Sequence, residues 1–205
     1  MSAIDLFAQH KDEYAMPKEP VLVTVRAGKY LTASGAGAPG GADFQAKLGA
    51  LYGHAYTIKF AKKKAGADDF KVGVLEGLWW GPGGAAALAS PKRTWRWKLL
   101  IRVPESVRAD DVRAARLALR ARGRPAAGVK LETIAEGPSV QMLHMGPYRD
   151  EPRTIARMDA YARAERLRFR GRHHEIYLSD PRRVPAARLR TILRHPVTRR
   201  RSTSR

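Results

Sequence analysis

The residues best suited to chemistry lie in one short run near the C-terminal end, at 173–183. The run alternates as a β-strand does, and it ends in a turn signal, Asp followed by Pro. Alternation places His173, Glu175 and Tyr177 on one face of this strand and His174 on the other, which we expect to pack on a helix. A carboxylate held on a rigid strand among ring side chains can bind a cation or activate a water molecule. The plain alternative is that Glu175 faces solvent.

The rest of the chain has two similar halves, at about 20–104 and 125–197, joined by a helix at about 109–122. Each half has the order strand, helix, strand, strand. This pattern predicts an α+β fold in which two pseudo-symmetric modules form one antiparallel sheet, with helices on one face and a ligand cleft between the halves. We expect one domain over 1–197 and a basic, disordered tail at 198–205.

The second half contains the surroundings of Glu175. Strands at 129–135 and 139–145 flank a Glu-Gly-Pro sequence, which predicts a hairpin. A helix is predicted at about 151–168, and a last strand near 188–195 is expected to end before a proline.

The composition narrows the class of protein. A chain of 205 residues with 44% hydrophobic and 28% charged residues is long enough and apolar enough to bury a core. The absence of cysteine excludes disulfides, thiolate metal sites and cysteine nucleophiles. No apolar run approaches the ~20 residues that span a bilayer. The N-terminus does not resemble a secretory signal, so we expect a cytoplasmic protein without a membrane partner.

The formal charge of +20 raises the question of nucleic acid binding. Much of this charge lies near the C-terminus, because arginines but no acids follow Asp180. The basic tail at 198–205 predicts a nonspecific attraction for nucleic acid at low salt. No zinc finger, basic zipper or helix-turn-helix pattern is present, so a dedicated nucleic acid function is not expected.

Three further motifs each lack a feature that the corresponding function requires. The run 35–40 spells G-x-G-x-x-G, but the ribose-binding acid expected about twenty residues later is missing. His174-Glu175 begins like a zinc-protease helix, yet the local pattern is a strand and position 178 is leucine. The nucleophile elbow G-x-S-x-G is absent. We therefore expect no metal site and no organic cofactor.

Several short motifs point to a known family. They are Gly146-Pro147-Tyr148 after a strand that contains His144, Glu175-Ile176-Tyr177-Leu178, Tyr52-Gly53-His54-Ala55-Tyr56, Leu75-Glu76-Gly77-Leu78-Trp79-Trp80, and His173-His174-Glu175. With these motifs the chain resembles the GyrI-like small-molecule-binding domain in its stand-alone form, over about residues 20–197. The resemblance implies a tandem pair of strand-helix-strand-strand modules that meet at a ligand cleft.

The resemblance also carries functional expectations. In drug-sensing relatives, the glutamate that matches Glu175 contacts cationic, planar ligands in an aromatic cleft. Some stand-alone relatives are hydrolases that open the cyclopropane ring of DNA-alkylating natural products. The expected partner is therefore a planar hydrophobic or cationic small molecule, and the two alternatives are hydrolysis and non-catalytic binding or sequestration.

Candidate roles follow from this chemistry. Glu175 can act as a base toward water, and a tyrosine hydroxyl, from Tyr56, Tyr148 or Tyr177, can donate to the oxygen where negative charge develops. Tryptophan rings can stack on a flat substrate, although Trp95 and Trp97 on the apolar face of a strand favour a core role. The catalytic candidates are Glu175, Tyr148 and Tyr177, and the ligand-binding candidates are Tyr56, Glu76, Trp79, Trp80, His144 and His173.

Overall fold

The computed structural model describes residues 3–84 and 90–200, which form four α-helices and nine β-strands. The helices are α1 (Leu6–Gln9), α2 (Ala42–Lys64), α3 (Ala109–Ala121) and α4 (Glu151–Ala164). The strands are β1 (Val21–Val25), β2 (Gly28–Ala36), β3 (Glu76–Trp80), β4 (Arg96–Arg102), β5 (Val129–Ile134), β6 (Gly137–Met145), β7 (Leu167–Phe169), β8 (His173–Tyr177) and β9 (Arg190–Arg199).

The strands form one antiparallel sheet in the order β1-β6-β9-β8-β3-β4-β2-β5, with β7 paired to β9. Helix α2 packs on β2, β4 and β5 at one end of this sheet, and α4 packs on β6, β7 and β9 at the other. Both helices lie on the same face, because one row of paired residues runs across the sheet from the core under α4 to the core under α2. This row is Met142, Leu193, Glu175, Gly77, Leu99, Ala33 and Val129. The predicted α+β fold with helices on one face is confirmed.

The two modules are β2-α2-β3-β4 and β6-α4-β8-β9, and they join where β3 pairs with β8. Each module also receives an outer strand from the other part of the chain. Strand β1 pairs with β6, whereas β5 pairs with β2. The predicted hairpin between β5 and β6 is therefore wrong: these consecutive strands lie in different modules, and the short connection between them crosses from one module to the other.

Strand β9 runs through Pro196, where the sequence predicted its end. Pro196 pairs with Ser139 of β6, and the carbonyl oxygen of Pro196 accepts a hydrogen bond from the backbone N–H of Arg170. Thr198 and Arg199, assigned to the tail from sequence, are part of β9 and pair with β7. Residues 201–205 of the predicted tail lie outside the described residues.

The face of the sheet opposite the helices is covered by the N-terminal segment rather than by a helix of the modules. The ring of Tyr14 packs with Ile176 and Ile192, and Phe7 stacks on Tyr14 with 4.8 Å between ring centroids. The helix expected on the His174 face is therefore the short helix α1, which contributes Phe7, and not a helix of the modules. The register of β8 is the physical reason, because it turns Glu175 rather than His174 toward α2 and α4.

His174 lies at the centre of a buried ionic network on that covered face. Its Nδ1 is 2.9 Å from Glu136 Oε2, and its Nε2 is 3.0 Å from Glu76 Oε2. Arg194 also donates to Glu136, and the Tyr14 hydroxyl donates to Glu76 at 2.7 Å. Burial lowers the pKa of His174, but the neighbouring carboxylates outweigh it and raise the pKa to about 9, so the ring is positively charged at neutral pH.

Among the residues that the structure describes, no helix combines the length and apolar character that crossing a membrane requires.

Candidate functional site

Glu175 lies in the middle of the sheet, at the junction of the two modules. Strand β8 presents it on the helix face, between the part of the sheet under α4 and the part under α2. Only 8% of its surface is exposed. The residue opposite Glu175 on β3 is Gly77, which has no side chain to fill the space beside the carboxylate.

The space above Gly77 is filled by a hydrogen-bonded pair of aromatic side chains. The indole Nε1–H of Trp79 donates to the Tyr177 hydroxyl at 3.0 Å, and that hydroxyl donates to Glu175 Oε2 at 2.7 Å. A Cβ atom at position 77 would lie 2.9 Å from Trp79 Nε1 and 3.2 Å from the Tyr177 oxygen. The chain Trp79–Tyr177–Glu175 therefore fixes the carboxylate in one orientation, and only glycine at position 77 leaves room for it.

A second carboxyl group, that of Glu151, approaches Glu175 from the first turn of α4. Glu151 is 5% exposed, and its buried Oε1 has no hydrogen-bond partner among the described residues. Glu151 is not among the candidates predicted from the sequence, because an acid in the first turn of a helix is normally explained by the helix dipole. The available signal was its position directly after Gly146-Pro147-Tyr148 and Asp150.

The two carboxyl groups are close enough for their charges to interact, since one oxygen of each lies within 4.8 Å of the other. Burial raises the pKa of both, and the negative charge of Glu175 raises that of Glu151 further, while Lys92 offsets only part of this rise. In Glu175 the hydrogen bond from Tyr177 and the positive charge of His174 act in the opposite direction. Both carboxyl groups therefore resist ionisation, and Glu175 is the first of the two to lose its proton.

His173 lies beside this pair as a neutral imidazole. Its Nε2 is 3.6 Å from Glu175 Oε1, and both ring nitrogens lack hydrogen-bond partners among the described residues. Burial lowers the pKa of His173 to about 3 and that of the neighbouring His195 to about 4, so neither ring is charged at neutral pH. Neither His173 nor His195 therefore brings a positive charge to Glu175.

Glu151, His173 and Glu175 also form a possible set of metal ligands. One donor atom from each lies within 4.8 Å of the other two. Carboxylate and imidazole groups are ligands that zinc accepts. The sequence predicted no metal site. These three residues are where a metal ion would bind if that prediction is wrong.

The aromatic candidates are distributed around the carboxyl pair. Tyr148 meets Tyr177 edge to face, with 5.9 Å between ring centroids, and Trp79 meets Trp95 in the same way at 5.8 Å. Burial, together with the charges of Glu175 and Glu151, raises the pKa of Tyr148 to about 12, so its hydroxyl keeps its proton. Trp95 is part of the hydrophobic core, as the sequence favoured. Tyr148, Tyr177 and Trp79 are thus brought together with Glu175.

Tyr56 lies apart from this group, on the exposed surface of α2. Nearly half of its surface is exposed, and its ring stacks between those of Tyr52 and Phe60, at 6.3 and 6.2 Å. The structure therefore places Tyr56 in an aromatic row along the helix.

Two other candidates, Glu76 and Trp80, lie on the opposite face of the sheet from Glu175. The register of β3 places Gly77 and Trp79 on the helix face, so their neighbours in the chain point away from it. Glu76 contacts His174, and the guanidinium of Arg172 lies 3.7 Å above the Trp80 ring. The sequence predicted that Glu76 and Trp80 share a site with Glu175, but the structure places them on the other face of the sheet.

His144 lies on β6 beneath the loop that leads into α4. Its Nδ1 is 2.9 Å from the Thr154 hydroxyl, and its Nε2 is 3.2 Å from the carbonyl oxygen of Pro147. The ring also lines an open groove of about 370 Å³ beside α4, together with Met142 and Arg153.

Comparison with known proteins agrees with this arrangement. The family model for the GyrI-like small molecule binding domain matches residues 18–198. An uncharacterized conserved protein from Listeria innocua is 36% identical, and the match covers 95% of this chain and 100% of that one with a TM-score of 0.89. A hydrolase encoded by lin2189 from Listeria innocua is 34% identical over 96% of this chain and 100% of that one, with a TM-score of 0.88. The EcmrR C-terminal domain, 10% identical over 89% and 98% with a TM-score of 0.59, shares the fold alone. No curated protein sequence matches the chain.

Proposed function

Because this chain belongs to the GyrI-like small-molecule-binding family, we propose that its aromatic site around Glu175 is a hydrolase site for small, strained electrophiles. The proposed substrates are DNA-alkylating natural products that carry a cyclopropane ring conjugated to a dienone. The observation that carries the proposal is the buried Glu151–Glu175 pair, in which one oxygen of each carboxyl group lies within 4.8 Å of the other. Burial raises the pKa of both groups, and the charge of Glu175 raises that of Glu151 further, so Glu175 is the first of the two to ionise. A general base and a general acid are thus present side by side.

The reaction needs both groups. Water adds to the cyclopropane CH₂ carbon as the strained C–C bond breaks, and the electron pair of that bond moves into the ring, which becomes a phenol. Glu175 takes a proton from the attacking water, and Glu151 gives its proton to the former carbonyl oxygen. One water is consumed, and proton exchange from Glu175 to Glu151 restores the starting state.

The surrounding side chains support these roles. The Tyr177 hydroxyl donates to Glu175 Oε2 and leaves Oε1 for the water. The protonated Tyr148 hydroxyl is a second candidate donor to the substrate oxygen. The ring of Tyr148, which is 37% exposed, offers a flat apolar surface to a planar substrate, and it packs against Tyr177, which the buried Trp79 supports through a hydrogen bond.

The hydrolase from Listeria innocua, 34% identical over nearly the whole chain, supports the same reaction class. In this proposal the biological role is detoxification in the cytoplasm, because hydrolysis consumes the electrophile before it meets DNA.

A second candidate function is non-catalytic binding of planar cations. It is favoured by the same pair, since two buried carboxyl groups that form no salt bridge with a lysine or arginine among the described residues attract a positively charged ligand. Binding to a cation would stabilise the ionised form of both groups, and no bond would be made or broken.

Hydrolysis and binding differ in what Glu175→Gln does. We would incubate the protein with a cyclopropane-containing alkylator of the duocarmycin type and follow the gain of one water by mass. If Glu175 is the base, Glu175→Gln lowers kcat by about 10²–10⁴-fold while the affinity for a neutral substrate is largely kept. Glu105→Gln, at an exposed position, is the matched control and keeps full activity. Unchanged alkylator with wild-type protein, together with weaker binding of a planar cation by Glu175→Gln, would favour the second function.

A further inference from the structure

His144 is tied on both sides of the segment that carries Tyr148 and Glu151. The ring is 4% exposed and contacts Pro147, which precedes that segment, and Thr154, which follows it in the first turns of α4. No other single side chain among the described residues has hydrogen bonds to both of these neighbours. One imidazole ring thus bridges the two ends of the segment.

The partners of His144 determine which nitrogen carries the proton. A backbone carbonyl oxygen only accepts hydrogen bonds, so the Nε2 that faces Pro147 carries the hydrogen. In a neutral ring Nδ1 is then an acceptor, and the Thr154 hydroxyl donates to it. Each group has a complementary partner, and neither ring nitrogen is free to contact a ligand.

The segment needs such a restraint because the Glu151 carboxyl group does not anchor it through a hydrogen bond at Oε1. Glu151 Oε1 has no hydrogen-bond partner among the described residues, and both burial and the charge of Glu175 disfavour an ionised carboxyl at this position. The hydrogen bonds of His144 to Pro147 and Thr154 supply the restraint from β6 instead.

We propose that His144 is a positioning residue that holds the first turn of α4 against β6 and so keeps Glu151 beside Glu175. This role rests on the proposed function, in which the two carboxyl groups exchange a proton. It also replaces the ligand-binding role expected for His144, because both ring nitrogens are engaged within the protein.

Thr154→Val is the sharpest variant, because it removes the hydroxyl and keeps the shape of the side chain. Thr154→Ser keeps the hydroxyl, and His144→Gln tests the ring itself. Thr32→Val, a buried threonine on β2, is the matched control for loss of a buried hydroxyl. All four are compared by thermal unfolding to confirm that they are folded.

Two readouts are used. The first is the pH titration of the side-chain carboxyl carbons in ¹³C-glutamate-labelled protein, which needs no substrate. We expect the higher pKa of the pair to fall by about one pH unit or more in Thr154→Val and His144→Gln, and to stay unchanged in Thr154→Ser and Thr32→Val. The second is the hydrolysis of the alkylator, where we expect kcat to fall by about tenfold or more with a smaller change in KM.

The outcomes distinguish a failure of the proposed hydrolase function from a failure of the positioning role of His144. If wild-type protein does not hydrolyse the alkylator, the proposed function fails, and the carboxyl titration still decides whether His144 positions Glu151. If the pair titrates identically in wild-type, Thr154→Val and His144→Gln proteins, the positioning role is overturned, whatever the activity.

Discussion

The buried charge of His174 makes stability depend on pH in a defined window. The carboxylates of Glu136 and Glu76 raise its pKa from 6.5 to about 9, against the effect of burial. A raised pKa means that the folded state holds the proton more tightly than the unfolded state. The stabilisation is therefore complete below pH 6.5 and is lost as the pH rises through about 9. At about 1.4 kcal/mol per pH unit, the shift corresponds to about 3 kcal/mol of unfolding free energy.

The assay is urea unfolding followed by tryptophan fluorescence at several pH values between 6 and 10. Because Glu151 and Glu175 have raised pKa values as well, they release protons in the same range and would add to the slope. The measurement is therefore made in a Glu151→Gln, Glu175→Gln background. We expect that background to lose about 3 kcal/mol between pH 6.5 and 9.5. Adding His174→Gln should cost a similar amount at pH 6.5 and abolish most of the slope.

Two results would refute the reasoning. One is a flat unfolding free energy in the background protein across this window, which would mean that His174 is not charged in the fold. The other is an equal slope with and without His174, which would assign the pH dependence to another group.

Three further predictions concern the site itself. Tyr177→Phe removes the hydrogen bond to Glu175 and raises its pKa, so the acid limb of the pH–activity profile should move to higher pH; an unmoved limb would contradict the assignment of Glu175 as base. Gly77→Ala drives a methyl group against Trp79 and Tyr177 and should reduce activity by about tenfold or more, whereas Gly49→Ala, which has open space on α2, should not; equal activities of the two would count against the packing argument. Dialysis against a chelator should leave hydrolysis unchanged, since Glu175 and Glu151 supply both proton transfers; activity lost on chelation and restored by zinc would instead make the carboxyl pair metal ligands.

The sequence predicted the environment of Glu175 from alternation along one strand. The period of two placed Tyr177 and His173 with Glu175, and the structure keeps that arrangement. Extending the same argument to β3 required the register between two strands far apart in the chain. Gly77, not Glu76, lies opposite Glu175, and no periodicity within either strand contains that information.

The place of Glu151 in the site and the strand partners of β5 and β6 could not be predicted from the sequence for a similar reason. A helix-opening acid has a sufficient local explanation, so its approach to Glu175 is visible only once α4 is placed on the sheet. Two strands separated by a Glu-Gly-Pro turn favour a hairpin locally, but Glu136 is buried against His174 and Arg194, and this contact carries the chain across to the other module. In both cases tertiary contacts override a correct local signal.

The exchange of outer strands between the modules has a consequence for how the chain can be divided. Strand β1 completes the sheet of the second module, and β5 completes that of the first, so a cut at the apparent boundary after α3 separates each module from an edge that it needs. Each fragment alone then lacks the strand that pairs with one of its edges, whereas the two fragments together contain both pairs. Pairing of β1 with β6 also joins residues far apart in the chain, which is a slow step in folding. Glu175 lies where β8 of the second module pairs with β3 of the first, so a nascent chain should acquire its carboxyl pair only after the C-terminal half has been synthesised.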